Sequence, residues 1–215
     1  MTGKLPTSAS VLAPGEGAKL HAPAAERNGE VLCDLLCRHA PRRGQALEIA
    51  SGTGQHVVQF ARALPGLTWQ PTEIDAERRA SIDAYGAEAA LPNLLPAVPL
   101  DASQAGWHKR HGAQSLIVLV NLLHLISTPQ ARVLIEEAVH ALAPEGRFVL
   151  YGPFMRAGQL TSAGDLRFHA QLAEADPAIG YKNDADIREW LLGAGVREVV
   201  GIEMPANNLA FVASR

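Results

Sequence analysis

Apolar residues follow two rhythms along this chain. From Gln45 to Ala50 (QALEIA), from Leu67 to Ile74 (LTWQPTEI) and most strongly from Ser115 to Ile126 (SLIVLVNLLHLI) they form short, nearly unbroken runs. Runs of that length and density suit strands buried on both faces of a parallel sheet. Between them the spacing changes to three and four. Val31, Leu32, Leu35 and Leu36 share one helical face, with Asn28 placed to cap it and PRRG (Pro41 to Gly44) to end it. Further helices are expected from Gln55 to Leu64, from about Ala76 to Ala89, and from Thr128 to Leu142, the last with Pro129 in its first turn and PEG as its stop.

The remaining runs complete the pattern. LLPAVPL (Leu94 to Leu100) is a third strand interrupted by two prolines, and Pro71 demotes the end of the second. RFVLYGPF (Arg147 to Phe154) is a fifth strand, followed by a polar insert with helices near Asp165 to Glu174 and Asp184 to Leu192. VREVVGIEMP and NLAFVASR, joined across PANN, form an antiparallel hairpin. Strand and helix alternate through five units, which predicts an α/β fold: a mostly parallel sheet, helices on both faces and an antiparallel C-terminal hairpin. Residues 1–20 mix Gly, Pro, Ser and Ala without period and are assigned to a flexible or loosely docked arm; residues 21–215 form one domain.

Composition narrows the range of partners. A length of 215 residues with 47% hydrophobic residues suits one full-sized core, and a net charge of -3 offers no basic field for nucleic acid or an anionic membrane. No apolar run reaches the roughly eighteen residues of a membrane span, and MTGKLPTSASVLAPGEGAKL lacks the apolar stretch of a secretory signal, so a cytoplasmic location is expected. Cys33 and Cys37 lie one turn apart in CDLLC without a second ligand pair, and His56, His108 and His111 show no metal spacing; the cysteines are expected to be small packing residues and no metal is expected.

In open α/β sheets ligands bind beyond the carboxyl ends of the strands, which directs attention to LEIASGTGQH, Leu47 to His56. Gly52 and Gly54 follow the first strand, where a chain turning into a helix needs positive φ or close approach to a ligand. A dinucleotide fingerprint would want a third small residue where Val57 stands, and no Gly-Lys-Ser/Thr phosphate loop is present. Glu48, near the end of the same strand, would repel phosphate and attract an ammonium group. The ligand is therefore expected to carry a cation.

The string E-x-A-S-G-T-G after a first strand resembles motif I of class I S-adenosylmethionine-dependent methyltransferases. The resemblance implies that Ala50, Ser51, Gly52 and Gly54 form the loop facing the donor, with Glu48 orienting its amino group. It further implies that Glu73, with Ile74 beside it, takes the ribose hydroxyls (Asp75 being the alternative), that Asp101 and Ala102 read the adenine, and that the backbone at Asn121 passes the donor. PAAERN, LEIASGTGQH, WQPTEID, NLLH, LYGPF and EMPANNL are similar to strings of the DUF938, or methyltransferase-like 26, family, from about residue 21 to the end. The resemblance implies a Rossmann-like class I methyltransferase fold of seven strands in the order 3-2-1-4-5-7-6, S-adenosyl-L-methionine as cofactor with S-adenosyl-L-homocysteine as product, and a small-molecule acceptor. A homodimer is left open. Relatives often carry Asp where Glu73 stands, and residues 155–183 depart from the family pattern in TSAGDLRFH and IGYKN; that insert is expected to roof the acceptor pocket.

Methyl transfer needs approach geometry and desolvation more than acid–base groups, and a base only where the acceptor must lose a proton. His124, after the fourth strand, is the first candidate base; Tyr151 and Asn28 are further catalytic candidates, Tyr151 more readily as pocket wall. PAAERN is expected to precede the first helix and fold over the donor, which would bring Arg27 to the donor carboxylate and Asn28 to the acceptor. Phe154, Asn207 and Asn208 complete the expected acceptor contacts. Two other readings stay in view: a nucleoside-binding regulatory module without turnover, and an NAD(P)-dependent reductase.

Overall fold

A computed structural model describes residues 11–215. Helix α1 spans Pro23–His39, β1 Gly44–Ile49, α2 Gln55–Ala63, β2 Leu67–Pro71, α3 Ala76–Ala89, β3 Gln114–Val120, α4 Thr128–Ala141, β4 Leu142–Met155, α5 Ala163–Ala175, α6 Asp184–Gly193, β5 Glu198–Met204 and β6 Asn208–Ser214. Along the sheet the order is β2-β1-β3-β4-β6-β5. β1 runs parallel to β2 and β3, and β3 to β4, whereas β6 is antiparallel to both β4 and β5. The mostly parallel sheet with a terminal hairpin is the one expected.

The third expected strand is reduced to two isolated bridges, Trp69 to Leu94 and Thr72 to Val98, on the outer side of β2. Between them Leu95 N donates to Trp69 O and Val98 N to Pro71 O, but Pro71 of β2 has no N–H to give in return, and the ladder breaks there. The seventh member of the sheet is instead Lys182–Asn183, which pairs with the end of β4.

Alternation along the central strands divides the interior in two. Leu47, Ile49, Ile117, Leu119, Phe148 and Leu150 face a cluster closed by α4 and α6, through residues such as Leu134 and Ile187. Ala46, Leu116, Val118, Val149 and Tyr151 face the other, closed by Leu32, Leu35 and Leu36 of α1, Val57 and Phe60 of α2 and Ile82 of α3. Both faces of β1 and β3 are thus covered, which explains their unbroken apolar runs. Cys33 packs against the second cluster while Cys37 is exposed, so only one of the two cysteines is a packing residue.

Helix α1 begins six residues earlier than its sequence pattern suggests. Ala22 is its N-cap and Pro23 occupies the first turn, where a missing N–H costs nothing, so Asn28 lies inside the helix and caps nothing. PAAERN is the opening of α1 rather than a segment before it. Helix α4 starts as expected, with a capping box between Ser127 and Gln130. It ends at Ala141, where the chain passes directly into β4, so PEG lies within the strand and not at a helix stop.

Residues 1–10 of the expected arm lie outside the described residues. Residues 13–14 and 20–21 pair as a two-residue antiparallel ladder. The ladder is docked on α3: Leu20 N donates to Ser81 Oγ (2.8 Å), and Lys19 pairs with Glu88 and lies over the Tyr85 ring.

Candidate functional site

The parallel strands β1, β2 and β3 end at one edge, and beyond it opens a cavity of about 580 Å³. Its floor is made by two turns in the left-handed region. Ala50 after β1 has φ 54° and Asn121 after β3 has φ 56°. For an alanine that conformation costs about 1–2 kcal/mol, strain of a kind that collects where a backbone is shaped for a ligand. Both residues line the cavity, together with Arg27, Glu48, Ser51, Gly52, Glu73, Ile74, Asp101 and Ala102.

The two glycines of the loop do different things. Gly52 has φ 60°, and a Cβ added to it would meet nothing within 4 Å, so its α-carbon faces open space. Gly54 has φ 94°, caps α2, and would place a Cβ 2.7 Å from the Ile82 Cα of α3. Gly54 does not line the cavity; its expected place on the donor is corrected to helix packing.

The acids are held unequally. Glu73 Oε2 accepts from Gly52 N (3.0 Å), and its Oε1 from Ile74 N (2.9 Å) and Asp75 N (3.3 Å), so both oxygens are fixed by backbone N–H groups. Asp75 is occupied as the cap of α3, accepting from Arg78 N at 2.9 Å. Asp101 Oδ1 accepts from the amide and hydroxyl of Ser103, at 3.0 and 2.6 Å. Glu48 is only 2% exposed, and its Oε2 has no hydrogen-bond partner. Burial pushes its pKa up to about 8; the Ser51 hydroxyl lowers it in part, and the Glu73 charge raises it further.

The near wall is the start of α1, latched to the start of α2. Ala22 N donates to Gln55 Oε1 (2.7 Å), which also accepts from the Thr53 hydroxyl (2.9 Å). Asn28 and His56 Nε2 are 2.7 Å apart; oriented to suit its neighbours, the Asn28 amide donates to that nitrogen and to the Ala24 carbonyl. Burial draws the His56 pKa down to about 4, so the ring is neutral as this bond requires. Asn28 also interacts with the Tyr151 hydroxyl and offsets in part the rise that burial gives its pKa. Val11, Leu12, Pro23, Ala24, Leu125 and Ile126 supply an apolar lip.

The expected acceptor-side residues are not in this cavity. Asn28 and Tyr151 sit behind His56, and burial raises the Tyr151 pKa. His124 is buried between the insert and the core, its ring edge-on to Phe168 and Tyr181, and burial with the Lys182 charge takes its pKa to about 3. Phe154 is core, packed edge-on against Phe211 at 5.1 Å. Asn208 Nδ2 bonds Pro205 O within its own turn, and Asn207 Nδ2 reaches Asp165 Oδ2 (3.3 Å) on α5. None of residues 155–183 lines this cavity. The insert instead grips the segment after β3, with Gly180 N on His124 O (3.0 Å) and Lys182 Nζ on Ile126 O (2.7 Å).

Sequence reasoning missed His56, Thr53 and the lip residues Val11, Leu12, Leu125 and Ile126; PAAERN, expected over the donor, does supply Pro23, Ala24 and Arg27 to the lining, from within α1. A signal existed in PAAERN and GTGQH, two strings that interlock through Asn28 and His56, with Ala22 just before the first held by Gln55 of the second. Among the described residues no cluster of His, Cys, Asp and Glu could hold a metal ion, and no helix is long and apolar enough to cross a membrane.

Residues 19–215 match the family described as "Protein of unknown function (DUF938)". Among solved structures, the chain is similar to an O-methyltransferase family protein from Burkholderia thailandensis, with a TM-score of 0.74 and 17% identity over 89% of this chain and 57% of that one. It is similar to a putative O-methyltransferase from Nostoc punctiforme PCC 73102 (TM-score 0.78, 15% identity, 90% of this chain and 57% of that one). Human N-acetylserotonin methyltransferase in complex with SAM gives a TM-score of 0.71 at 14% identity, over 89% of this chain and 52% of that one. The likeness establishes a Rossmann-like methyltransferase fold, and this chain spans a little over half the length of those proteins.

Proposed function

The chain belongs to the DUF938 family, and from the site just described we propose that it transfers a methyl group from S-adenosylmethionine to a small-molecule acceptor. The observation that carries the reading is the buried Glu48 carboxyl with a free oxygen, beside an open glycine and a second, fixed carboxylate. A buried polar atom without a partner is expensive, and a ligand ammonium group supplies what Glu48 lacks. The cavity's other features suit the rest of such a ligand. Gly52 admits close backbone approach, Glu73 offers its remaining lone pairs to the ribose, and Asp101 Oδ2 with Ile74 and Ala102 suits the adenine. Arg27 stands at the wall as counter-charge for the donor carboxylate.

When bound, S-adenosylmethionine supplies an electrophilic methyl on a sulfonium centre. The chain's own part is to orient, to exclude water and to shape the acceptor's approach, with the apolar lip of Val11, Leu12, Pro23, Leu125 and Ile126 favouring a small, largely apolar acceptor. A pyrophosphate would have to sit beside Glu48 and Glu73, which argues against a nicotinamide-dependent reductase. A regulatory module without turnover is favoured by one observation: His124, Tyr151 and Asn28 lie outside the cavity lining. Incubation with labelled donor and fractionated metabolites decides between the two. Label in an acceptor supports the enzyme; tight S-adenosylhomocysteine binding without transfer to any fraction supports the module, and protection by NADH rather than S-adenosylhomocysteine in a thermal-shift assay overturns both.

A further inference from the structure

Glu48 faces the cavity from the end of β1 in surroundings that disfavour its charge. It is 2% exposed, its Oε2 has no partner, and it feels a second carboxyl, Glu73, which accepts from three backbone N–H groups. The other charged or titratable groups around the cavity are Arg27 from α1, His56 from α2, Asp75 and Arg78 at the start of α3, and Asp101. His56 is neutral and bonded to Asn28, and the ion pairs found among the described residues do not include Glu48. Two carboxylates sharing a closed site do not both ionise readily.

We propose that donor capture is proton-linked: Glu48 is a carboxylic acid in the free protein and becomes a carboxylate when an ammonium group is seated against it. The step balances simply. Glu48–COOH gives its proton to the buffer, the ligand keeps its –NH₃⁺, and a charge-assisted hydrogen bond forms between the two. The inference rests on the donor reading above and goes beyond it, since a site built around an already ionised Glu48 would bind the same ligand with no change in protons. The sign follows from the order of pKa values. With Glu48 titrating at about 8 in the free protein, close to one proton per site should be released at pH 7, and the release should fade towards pH 9, where Glu48 is already ionised. Ligands without an amino group should release none.

The test is calorimetry of the whole chain with S-adenosylhomocysteine and with 5′-methylthioadenosine, which lacks the amino acid moiety, at pH 7 in phosphate, Hepes and Tris. The expected result is an apparent enthalpy for S-adenosylhomocysteine that varies with buffer ionisation heat at a slope near one proton, a flat response for 5′-methylthioadenosine, and loss of the slope in Glu48→Gln. Buffer-independent heat with clear S-adenosylhomocysteine binding overturns the proton linkage and leaves the donor reading standing. An equal slope for 5′-methylthioadenosine, or an unchanged slope in Glu48→Gln, assigns the proton to another group and also overturns it. Absence of S-adenosylhomocysteine binding overturns the donor reading and the linkage with it.

Discussion

Replacing each loop glycine by alanine should separate folding from binding. At Gly54 an added methyl group meets backbone, the Ile82 Cα at 2.7 Å, and the residue must also keep φ 94°. Left-handed strain of about 1–2 kcal/mol and overpacking of about 1–3 kcal/mol together give a loss of about 2–5 kcal/mol. In a domain of this size that lowers Tm by about 4–20 °C. At Gly52 the φ of 60° carries only the strain, about 1–2 kcal/mol, because a Cβ there meets nothing within 4 Å. That methyl group projects into the space the donor needs. Gly52→Ala should therefore weaken S-adenosylhomocysteine binding at least tenfold, about 1.4 kcal/mol, with a small change in Tm. Gly54→Ala should lose stability while its folded fraction binds almost normally. Chemical denaturation and calorimetry on both variants measure the two quantities. Equal destabilisation of the two, or lost affinity in Gly54→Ala with affinity kept in Gly52→Ala, would refute the division of labour.

Three further outcomes follow from the same contacts. Glu73→Ala strands the Gly52 amide, at about 1–3 kcal/mol for a buried donor without a partner, and should weaken S-adenosylhomocysteine binding while speeding hydrogen exchange at Gly52; unchanged affinity and exchange would count against it. His56, with its folded pKa near 4, favours the folded state above pH 6.5 and loses that contribution as pH falls towards 4; the window is worth up to about 3 kcal/mol, and His56→Gln should flatten this part of the acid limb in urea titrations. His124→Asn should lower stability yet leave the pH–rate profile of methyl transfer unchanged between pH 6 and 8, because the buried ring is neutral throughout that range; loss of a limb near pH 6.5 would restore His124 as a base.

Features set by local chemistry were legible in the sequence. The apolar runs of β1 and β3 reflect burial on both faces, and the acids at residues 48, 73 and 101 come together because parallel strands end at one edge. What failed to show were positions decided by packing over distance. A glycine after a strand suggests a ligand, yet Gly54 answers to α3, and only coordinates reveal that Ile82 stands there. His124 follows β3 and Phe154 lies near the end of β4, but their side chains turn towards the insert and towards Phe211. Asn28 looked like a cap because the apolar face begins after it; Pro23 had already started the helix, and Asn28 became the brace of His56. The third strand failed for a covalent reason, the missing N–H of Pro71 on the strand it would pair with.

The most direct measurement is a crystal structure of the chain with S-adenosylhomocysteine. The amino group should lie within hydrogen-bond distance of Glu48, about 2.7–3.2 Å, with the ribose at Glu73 over Gly52 and the adenine between Ile74 and Asp101. A nucleoside bound in another place, or in this cavity with its base against Glu48, would contradict the account.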